Sequence, residues 1–251
     1  MKSAIRKSLR QLKAQGMKIR TPNEIEVHFR KTPPQTGHQK ALFVVVYNDI
    51  CAFNDCFASS PFVKREKTIS LNNINNIGLP AFFNQTIKEH LTDDLWFIFC
   101  HQDFIFKEDL LSRLKELDAN TVYGPIGARV SENRAFGQII QTNNKPTGTK
   151  LAEPTIVQTL DEMCLIAHSS IFKEGVTFDE KFKLHFYGAD LCMSAYVSGF
   201  DIRAIQFACQ HKSRTLTGDL NSPSYMEALG LFREKWMKFL PIKTTTALIR
   251  K

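Results

Sequence analysis

The sequence has neither of the glycine-rich motifs that most often mark a phosphate-binding loop. Its 12 glycines never fall in the spacing GxGxxG or GxxxxGK[ST], so dinucleotide-dependent redox chemistry and P-loop hydrolysis lose their usual support. None of the six cysteines forms a CxxC pair, and no Cys/His spacing is typical of zinc. We therefore expect free thiols, as in a protein of the reducing cytoplasm.

Long apolar runs are also missing. No run approaches the roughly 20 residues that a membrane-spanning helix needs, and the first 20 residues lack the apolar core of a secretory signal. From these two absences we predict a cytoplasmic protein.

Positive charge is concentrated at the start of the chain. The net charge is +8, and seven basic residues with no acidic residue lie in residues 1–20, which leaves the rest of the chain near +1. Since no DNA- or RNA-reading motif accompanies this charge, we expect no nucleic-acid partner. Residues 3–15 fit a helix that is either solvated or in peripheral contact with the anionic inner face of a membrane. A proline-rich linker then separates residues 1–38 from a domain over residues 39–251.

Two apolar runs end abruptly in polar side chains. Ala41–Tyr47 is typical of a buried parallel strand and is followed by Asn48, whereas the run 95–99 is followed by Cys100 and then by His101-Gln102-Asp103. Ligands of open α/β sheets bind at the carboxyl ends of the strands. A carboxylate there, that of Asp103, is well placed to hold a divalent cation and through it a phosphate.

Strands and helices alternate in the first half of the chain, which predicts a mixed, mostly parallel central sheet flanked by helices. Residues 143–149 are expected to form a polar turn or mobile loop. Further strands are predicted over 67–71, 121–123, 135–141, 162–168 and 202–209, and helices over 79–91, 108–117, 188–198 and 225–239.

The order and spacing of several segments resemble a nucleotide-sugar glycosyltransferase with the GT-A fold. The similarity covers about residues 41–213 and is closest to the inverting family 2, in a subgroup where His-Gln-Asp stands in place of the usual Asp-x-Asp. The segments that carry the resemblance are 78–87, 101–103, 124–128, 162–166, 178–182, 187–191, 199–202 and His211.

The resemblance implies a Rossmann-like α/β fold and a set of site residues. Asp103 and His211 would bind Mn²⁺ or Mg²⁺, and Asp190 would act as the general base that deprotonates the acceptor. The expected donor-binding residues are Asn48, Asn72, Asn84, His101, Gln102 and Asp103.

Five of these residues also have a simpler interpretation. Asp103 could cap the following turn, and Asp190 could serve equally as an N-cap of the next helix. His211 precedes basic residues and could be an exposed histidine. Asn84 could satisfy a backbone group, and Asn72 could mark a turn.

The expected activity is metal-dependent, inverting transfer of a hexose from a nucleotide sugar to a glycan or lipid-linked acceptor. Such an enzyme would serve the synthesis of a cell-surface polysaccharide or lipopolysaccharide. The chain departs from the family pattern at Ala189, where an acidic residue is usual. The alternative is therefore a GT-A-like binding or scaffold module that is catalytically impaired.

Overall fold

The computed structural model describes residues 40–63, 66–213 and 220–251. The predicted leader helix and linker of residues 1–38 lie outside these ranges. The strands within them are β1 Ala41–Tyr47, β2 Lys67–Asn72, β3 Trp96–His101, β4 Phe104–Phe106, β5 Thr121–Gly124, β6 Gly127–Ala128, β7 Ala135–Gln141, β8 Pro146–Thr149, β9 Thr155–Ile156, β10 Thr159–Leu160, β11 Cys164–His168, β12 Asp201–Ala204, β13 Cys209–His211, β14 Ile242–Lys243 and β15 Leu248–Ile249.

The helices of the described residues are α1 Ile50–Asp55, α2 Leu79–Glu89, α3 Leu110–Leu114, α4 Ser169–Lys173, α5 Tyr187–Val197 and α6 Pro223–Trp236. A 3₁₀ turn, Met237–Phe239, extends α6. Capping side chains explain where three of these helices begin. Asp49 caps α1, Asp109 caps α3 and Ser222 caps α6, and each accepts a hydrogen bond from a backbone N–H of the first turn.

In the described ranges, the central sheet has seven strands in the order β2-β1-β3-β11-β5-β12-β9. β1 pairs in parallel with β2 and β3, and β5 pairs in parallel with β12, whereas β11 is antiparallel to both of its neighbours. A second sheet has the order β10-β6-β7-β13-β4, with β8 attached to β7. The predicted mixed, mostly parallel sheet is confirmed for the front half of the chain.

The core lies on both faces of the central sheet. Alternate residues of β1 face opposite sides, so Leu42, Val44 and Val46 pack on one side while Phe43 and Val45 pack on the other. The first side is covered by α2, α5 and α6, and the second by α1, α3 and the strand β4. Because both faces are covered, β1 and β3 read as continuous apolar runs instead of alternating ones.

Several sequence expectations need correction. Residues 146–149 form strand β8 on the edge of the second sheet, although the polar composition predicted a loop. The single strand predicted over 202–209 is two strands, β12 and β13, which belong to different sheets.

The structure bears on two absences noted in the sequence, that of CxxC pairs and that of long apolar runs. All six cysteines are free, and all but Cys51 are buried. Among the described residues, no helix has both the length and the apolar composition to cross a bilayer.

Candidate functional site

The carboxyl ends of β1 and β3 meet at one edge of the central sheet because the two strands are parallel and in register, with Val46 opposite His101. Gln102 ties these ends together. Its Oε1 accepts hydrogen bonds from the backbone N–H groups of Asn48 and Asp49, both at 3.0 Å, and its Nε2 donates to Asn48 Oδ1 at 3.0 Å. The structure thus brings together Asn48, Gln102 and their neighbours, as the strand-end pattern predicted, but the Gln102 amide is already bonded to the backbone of Asn48 and Asp49 and to the Asn48 side chain.

His211 reaches the same edge through the second sheet. Strand β13 pairs antiparallel with β4, which places His211 opposite Phe104 and next to Asp103. His211 Nε2 lies 3.1 Å from Asp103 Oδ1, and the His101 and His211 rings are 5.6 Å apart between centroids. The simple interpretation of His211 as an exposed side chain does not apply, because the side chain is only 12% exposed.

The three side chains influence one another's protonation. Burial opposes ionisation of Asp103, but the hydrogen bond with His211 and the charge of both imidazoles outweigh it and lower the pKa of this carboxyl. Burial would lower the pKa of His211, but the hydrogen bond to Asp103 raises it above the ordinary value. Burial dominates at His101 and lowers its pKa. At neutral pH the cluster therefore contains an ionised carboxylate and a neutral His101.

A chain of hydrogen bonds runs inward from His101. The Tyr187 hydroxyl oxygen lies 2.9 Å from His101 Nε2 and 3.2 Å from the backbone oxygen of Glu162, which accepts from it. Nε2 of His101 is therefore engaged with Tyr187, and Nδ1 is the other ring nitrogen. A ligating histidine is oriented in this way, with its other nitrogen held by a hydrogen bond.

The donor atoms of His101, Asp103 and His211 fit a divalent cation. They lie within 4.8 Å of one another, and no other such group of His, Cys, Asp or Glu occurs in the part of the chain that the structure describes. Two imidazoles and one carboxylate suit Mn²⁺ better than Mg²⁺, which prefers oxygen ligands. Three protein ligands would leave positions open for phosphate oxygens.

The cluster borders a cavity of about 340 Å³. Of the predicted site residues, His101 and His211 line it, and Ala189 lies in its wall. Other lining side chains come from the start of α5, from α6 and from the β14–β15 hairpin; they include Phe186, Tyr225, Thr244, Thr245 and Thr246. The size and mixed lining suit a small polar molecule.

Sequence reasoning missed Glu162 as a functional candidate. It lies on the loop before β11, not in the strand predicted over 162–168, and it lines the cavity. Its Oε1 accepts a hydrogen bond from Gly188 N at 3.0 Å, so the carboxylate sits against the N-terminus of α5. A Cβ on residue 188 would lie 2.7 Å from Glu162 Cγ, which explains a glycine there. The signal available in the sequence was the acidic pair Asp161-Glu162 directly before an apolar run.

Asp190 lies elsewhere. Its side chain is fully buried, with Lys235 Nζ 2.7 Å from Oδ1 and Trp236 Nε1 donating to Oδ1 at 2.8 Å. Burial raises the pKa of Asp190 to about 6, against the opposing influence of Lys235. The carboxylate neither lines the cavity nor caps the helix, whose N-cap is Phe186. Asp190 is therefore a poor candidate for the general base.

Two predicted donor-binding amides also have other partners. Asn84 Nδ2 donates to Phe178 O and to Glu180 Oε1, both at 3.0 Å, while its Oδ1 accepts from Phe178 N. It thus satisfies a backbone segment, as its simpler interpretation proposed. Asn72 is exposed at the end of β2. Its backbone oxygen accepts a hydrogen bond from Ile74 N at 3.0 Å in the turn that follows.

The buried carboxyl of Glu162 predicts a pH-dependent change in stability. Burial, partly offset by the backbone N–H of Gly188, raises its pKa to about 8 from 4.5. A raised folded-state pKa means that the stability contributed by the protonated form is present below pH 4.5 and lost as the pH rises through about 8. Glu162→Gln keeps the acceptor and removes the charge. Between pH 5 and pH 9 we expect the free energy of unfolding of the variant to rise by about 4 kcal/mol relative to that of the parent.

Denaturant titration of both proteins at several pH values would measure this difference. Glu174→Gln, on an exposed side chain, is the control and should track the parent at every pH. A constant difference between Glu162→Gln and the parent across this range would show that the Glu162 carboxyl titrates normally.

Comparison with known proteins identifies the fold of the chain. No protein-family model and no curated protein matches the sequence. Among solved structures, S. aureus TarS matches with a TM-score of 0.49 at 15% identity, over 79% of this chain and 40% of that chain. GalNAc-T7 with UDP, GalNAc and Mn²⁺ matches with a TM-score of 0.48 at 8% identity, over 79% of this chain and 48% of that chain.

A fragment of the first protein, S. aureus TarS 1-349 in complex with UDP, matches with a TM-score of 0.51 at 15% identity, over 82% of this chain and 66% of that chain. This fragment, the one of the three with a TM-score above 0.5, is a GT-A glycosyltransferase. The chain has the GT-A fold. It spans 40 to 66% of the length of the three solved chains, so the fold is shared while the activity has to be argued from the site.

Proposed function

We propose that the chain transfers a sugar from a nucleoside-diphosphate donor to a hydroxyl acceptor, with a divalent cation held by His101, Asp103 and His211. The observation that carries this proposal is the position of the cluster. It sits at the carboxyl end of the central strand β3 of a GT-A fold and borders a cavity of about 340 Å³. This edge is where α/β sheets bind phosphorylated ligands.

The roles of the three side chains follow from their chemistry. A bound cation would neutralise the negative charge that develops on the departing diphosphate. Asp103 supplies the anionic ligand, and the His101 ring is held in place by Tyr187. Gln102 fixes the loop that follows β1, where Asn48 lies, against the end of β3. The nucleotide would then lie along the edge formed by β1 and β3.

The finer features of the proposal come from the family resemblance. We propose inversion at the anomeric carbon, Mn²⁺ as the preferred ion, and a hexose as the transferred group. The acceptor would be a glycan or a lipid-linked saccharide, in the synthesis of a surface polysaccharide or lipopolysaccharide. The enzyme would work in the cytoplasm, with the basic residues 1–20 in peripheral contact with an anionic membrane.

A panel of nucleotide sugars tests the proposal. We expect at least one UDP-, GDP- or dTDP-sugar to raise the melting temperature by about 5 °C at 100-fold its Kd with Mn²⁺, and by much less with EDTA. UDP-sugars come first because a matched solved structure contains UDP. The release of the nucleoside diphosphate would then report hydrolysis of the donor and give the turnover rate.

The outcomes separate the alternatives. If a nucleotide sugar raises the melting temperature equally with Mn²⁺ and with EDTA, the metal site is wrong, but the binding of a nucleotide-sugar donor is supported. Binding with no turnover on any donor or acceptor would favour the binding or scaffold module. If no nucleotide sugar changes the melting temperature and none is hydrolysed, the proposed function is wrong.

A further inference from the structure

The cavity extends past the metal-binding cluster to a buried hydroxyl that lacks a partner. Tyr225 lines the cavity and is only 8% exposed. Its hydroxyl oxygen is buried and makes no hydrogen bond of standard geometry with any residue of the described ranges, although the Thr246 side chain is close enough to act as a hydrogen-bond partner and lower the pKa of the phenol. Buried polar groups are nearly always paired, so this hydroxyl is available to a water or to a ligand hydroxyl.

The wall around this hydroxyl is aromatic. The Tyr225 ring contacts Phe186 with centroids 5.1 Å apart and His185 with centroids 5.5 Å apart. Phe186 has a φ of 64°, a left-handed conformation that costs energy in a bulky residue and persists where the surroundings impose it. This conformation precedes the first turn of α5, so the same backbone that places the ring also directs the helix N-terminus at Glu162.

Glu162 connects the aromatic wall to the metal-binding cluster. Its backbone oxygen holds Tyr187, which in turn holds His101. Its carboxylate is close enough to Tyr225 to raise the pKa of that phenol, after the larger influence of burial. Glu162 is therefore linked to the metal-binding cluster through Tyr187 and lines the same cavity as Tyr225.

The neighbouring acid Asp161 is less suited to bind a ligand. Its Oδ1 accepts from Met163 N at 3.2 Å, and its Oδ2 accepts from Thr245 Oγ1 at 2.6 Å. The Glu162 carboxylate instead receives backbone N–H groups of the α5 start, of which Gly188 is the main one. A carboxylate has about four acceptor positions, so capacity remains for a ligand hydroxyl.

We propose that Glu162 and Tyr225 form the acceptor subsite, which binds a pyranose whose reacting hydroxyl lies against Glu162 and whose second hydroxyl pairs with Tyr225. The inference rests on the proposed function. The apolar C–H face of the sugar would pack on the ring of Phe186 or Tyr225, as amphipathic ligands do on aromatic walls. Glu162, on the loop before β11, would provide the carboxylate that the family pattern has at the position of Ala189 on α5.

The step assigned to Glu162 is a proton transfer coupled to glycosyl transfer. In the ionised form of Glu162, which predominates above pH 8 because burial raises the pKa of this carboxyl to about 8, the acceptor hydroxyl gives its proton to a Glu162 oxygen while the acceptor oxygen bonds to the anomeric carbon. The bond from that carbon to the phosphate oxygen breaks, and its electron pair leaves with the nucleoside diphosphate. No oxidant, reductant or further reactant is needed.

Binding and transfer measured on two conservative variants test the subsite. The acceptor probes are p-nitrophenyl glycosides of the common hexoses and N-acetylhexosamines. Saturation-transfer NMR measures their binding. Sugar transfer to them is assayed with the donor that the nucleotide panel selects. We expect Tyr225→Phe to weaken glycoside binding at least 5-fold. Glu162→Gln should leave binding within 3-fold and lower transfer by 10² to 10⁴-fold. Both should bind the nucleotide and Mn²⁺ as the parent does.

Matched controls lie outside the cavity. Tyr123→Phe removes a hydroxyl that accepts from Asp118 N, and Glu174→Gln changes an exposed carboxyl; neither should alter glycoside binding or transfer. The acceptor subsite is wrong if the parent binds nucleotide and Mn²⁺ but no glycoside, or if Glu162→Gln transfers at the parental rate. Failure of the parent to bind any nucleotide would instead overturn the proposed function, and this inference with it.

Discussion

Replacing Asp103 with alanine is expected to abolish metal-dependent donor binding and to lower donor turnover by about 10³-fold. Asp103 is the one anionic member of the His101–Asp103–His211 cluster, so its loss leaves two neutral imidazoles facing a diphosphate. The fold should survive, because the Asp103 side chain is 20% exposed and its side-chain partner, His211, belongs to the same cluster. Its backbone contact with Lys212 N is unaffected by the substitution.

Calorimetric titration with Mn²⁺ and nucleotide, followed by a hydrolysis assay, would measure this loss. Asp103→Asn keeps the shape and removes the charge, so it should weaken ion and donor together. Asp55→Asn makes the same change at an exposed carboxyl outside the cluster and should bind like the parent. Parental affinity for Mn²⁺ and nucleotide in Asp103→Ala would eliminate the metal site.

The half of this site that lies at the ends of β1 and β3 could be predicted from the sequence. Both strands are buried on two faces and read as continuous apolar runs, and parallel strands bring their carboxyl ends to one edge. Asn48 and Asp103 follow directly. The role of Gln102 could not be predicted, since nothing in its neighbourhood shows that its amide will bind the backbone of residue 48 or 49.

The other half depends on strands whose direction or pairing the sequence does not reveal. His211 joins Asp103 because the short strand β13 pairs with the short strand β4, across a large separation in the chain. β11 is antiparallel to β3, so it contributes its beginning to the edge where parallel strands contribute their ends. Glu162 precedes β11 and was for that reason overlooked. A rule based on strand ends finds only the residues of parallel strands.

Asp190 shows the limit of a motif taken by itself. Its place near the start of a predicted helix suggested that Asp190 is a general base or an N-cap. Both interpretations require a side chain directed toward the N-terminus of that helix. Its actual partners, Lys235 and Trp236, lie on α6, a helix that begins more than 30 residues later. Only tertiary packing determines that the carboxylate faces this helix.

Asp190→Ala should lower the free energy of unfolding by about 3 kcal/mol at pH 7.5. At this pH the carboxyl is ionised, because burial raises its pKa only to about 6. Its removal leaves the Lys235 ammonium with Asp179 alone, leaves the Trp236 N–H without its acceptor, and opens a small cavity between α5 and α6. Asp190→Asn keeps an oxygen for Trp236 and should lose about half as much. Urea denaturation of the three proteins measures both differences.

Asp179→Asn is the matched control, because this carboxylate binds the same Lys235 nitrogen at 2.9 Å but is 27% exposed. It should cost less than about 1 kcal/mol, as exposed ion pairs do. Replacing the buried pair together, as Asp190→Asn with Lys235→Met, should recover part of the loss because no charge is left unpaired. If Asp190→Asn is as stable as the parent and yet loses sugar transfer while binding the donor normally, then Asp190 acts in the chemistry and Glu162 does not replace it.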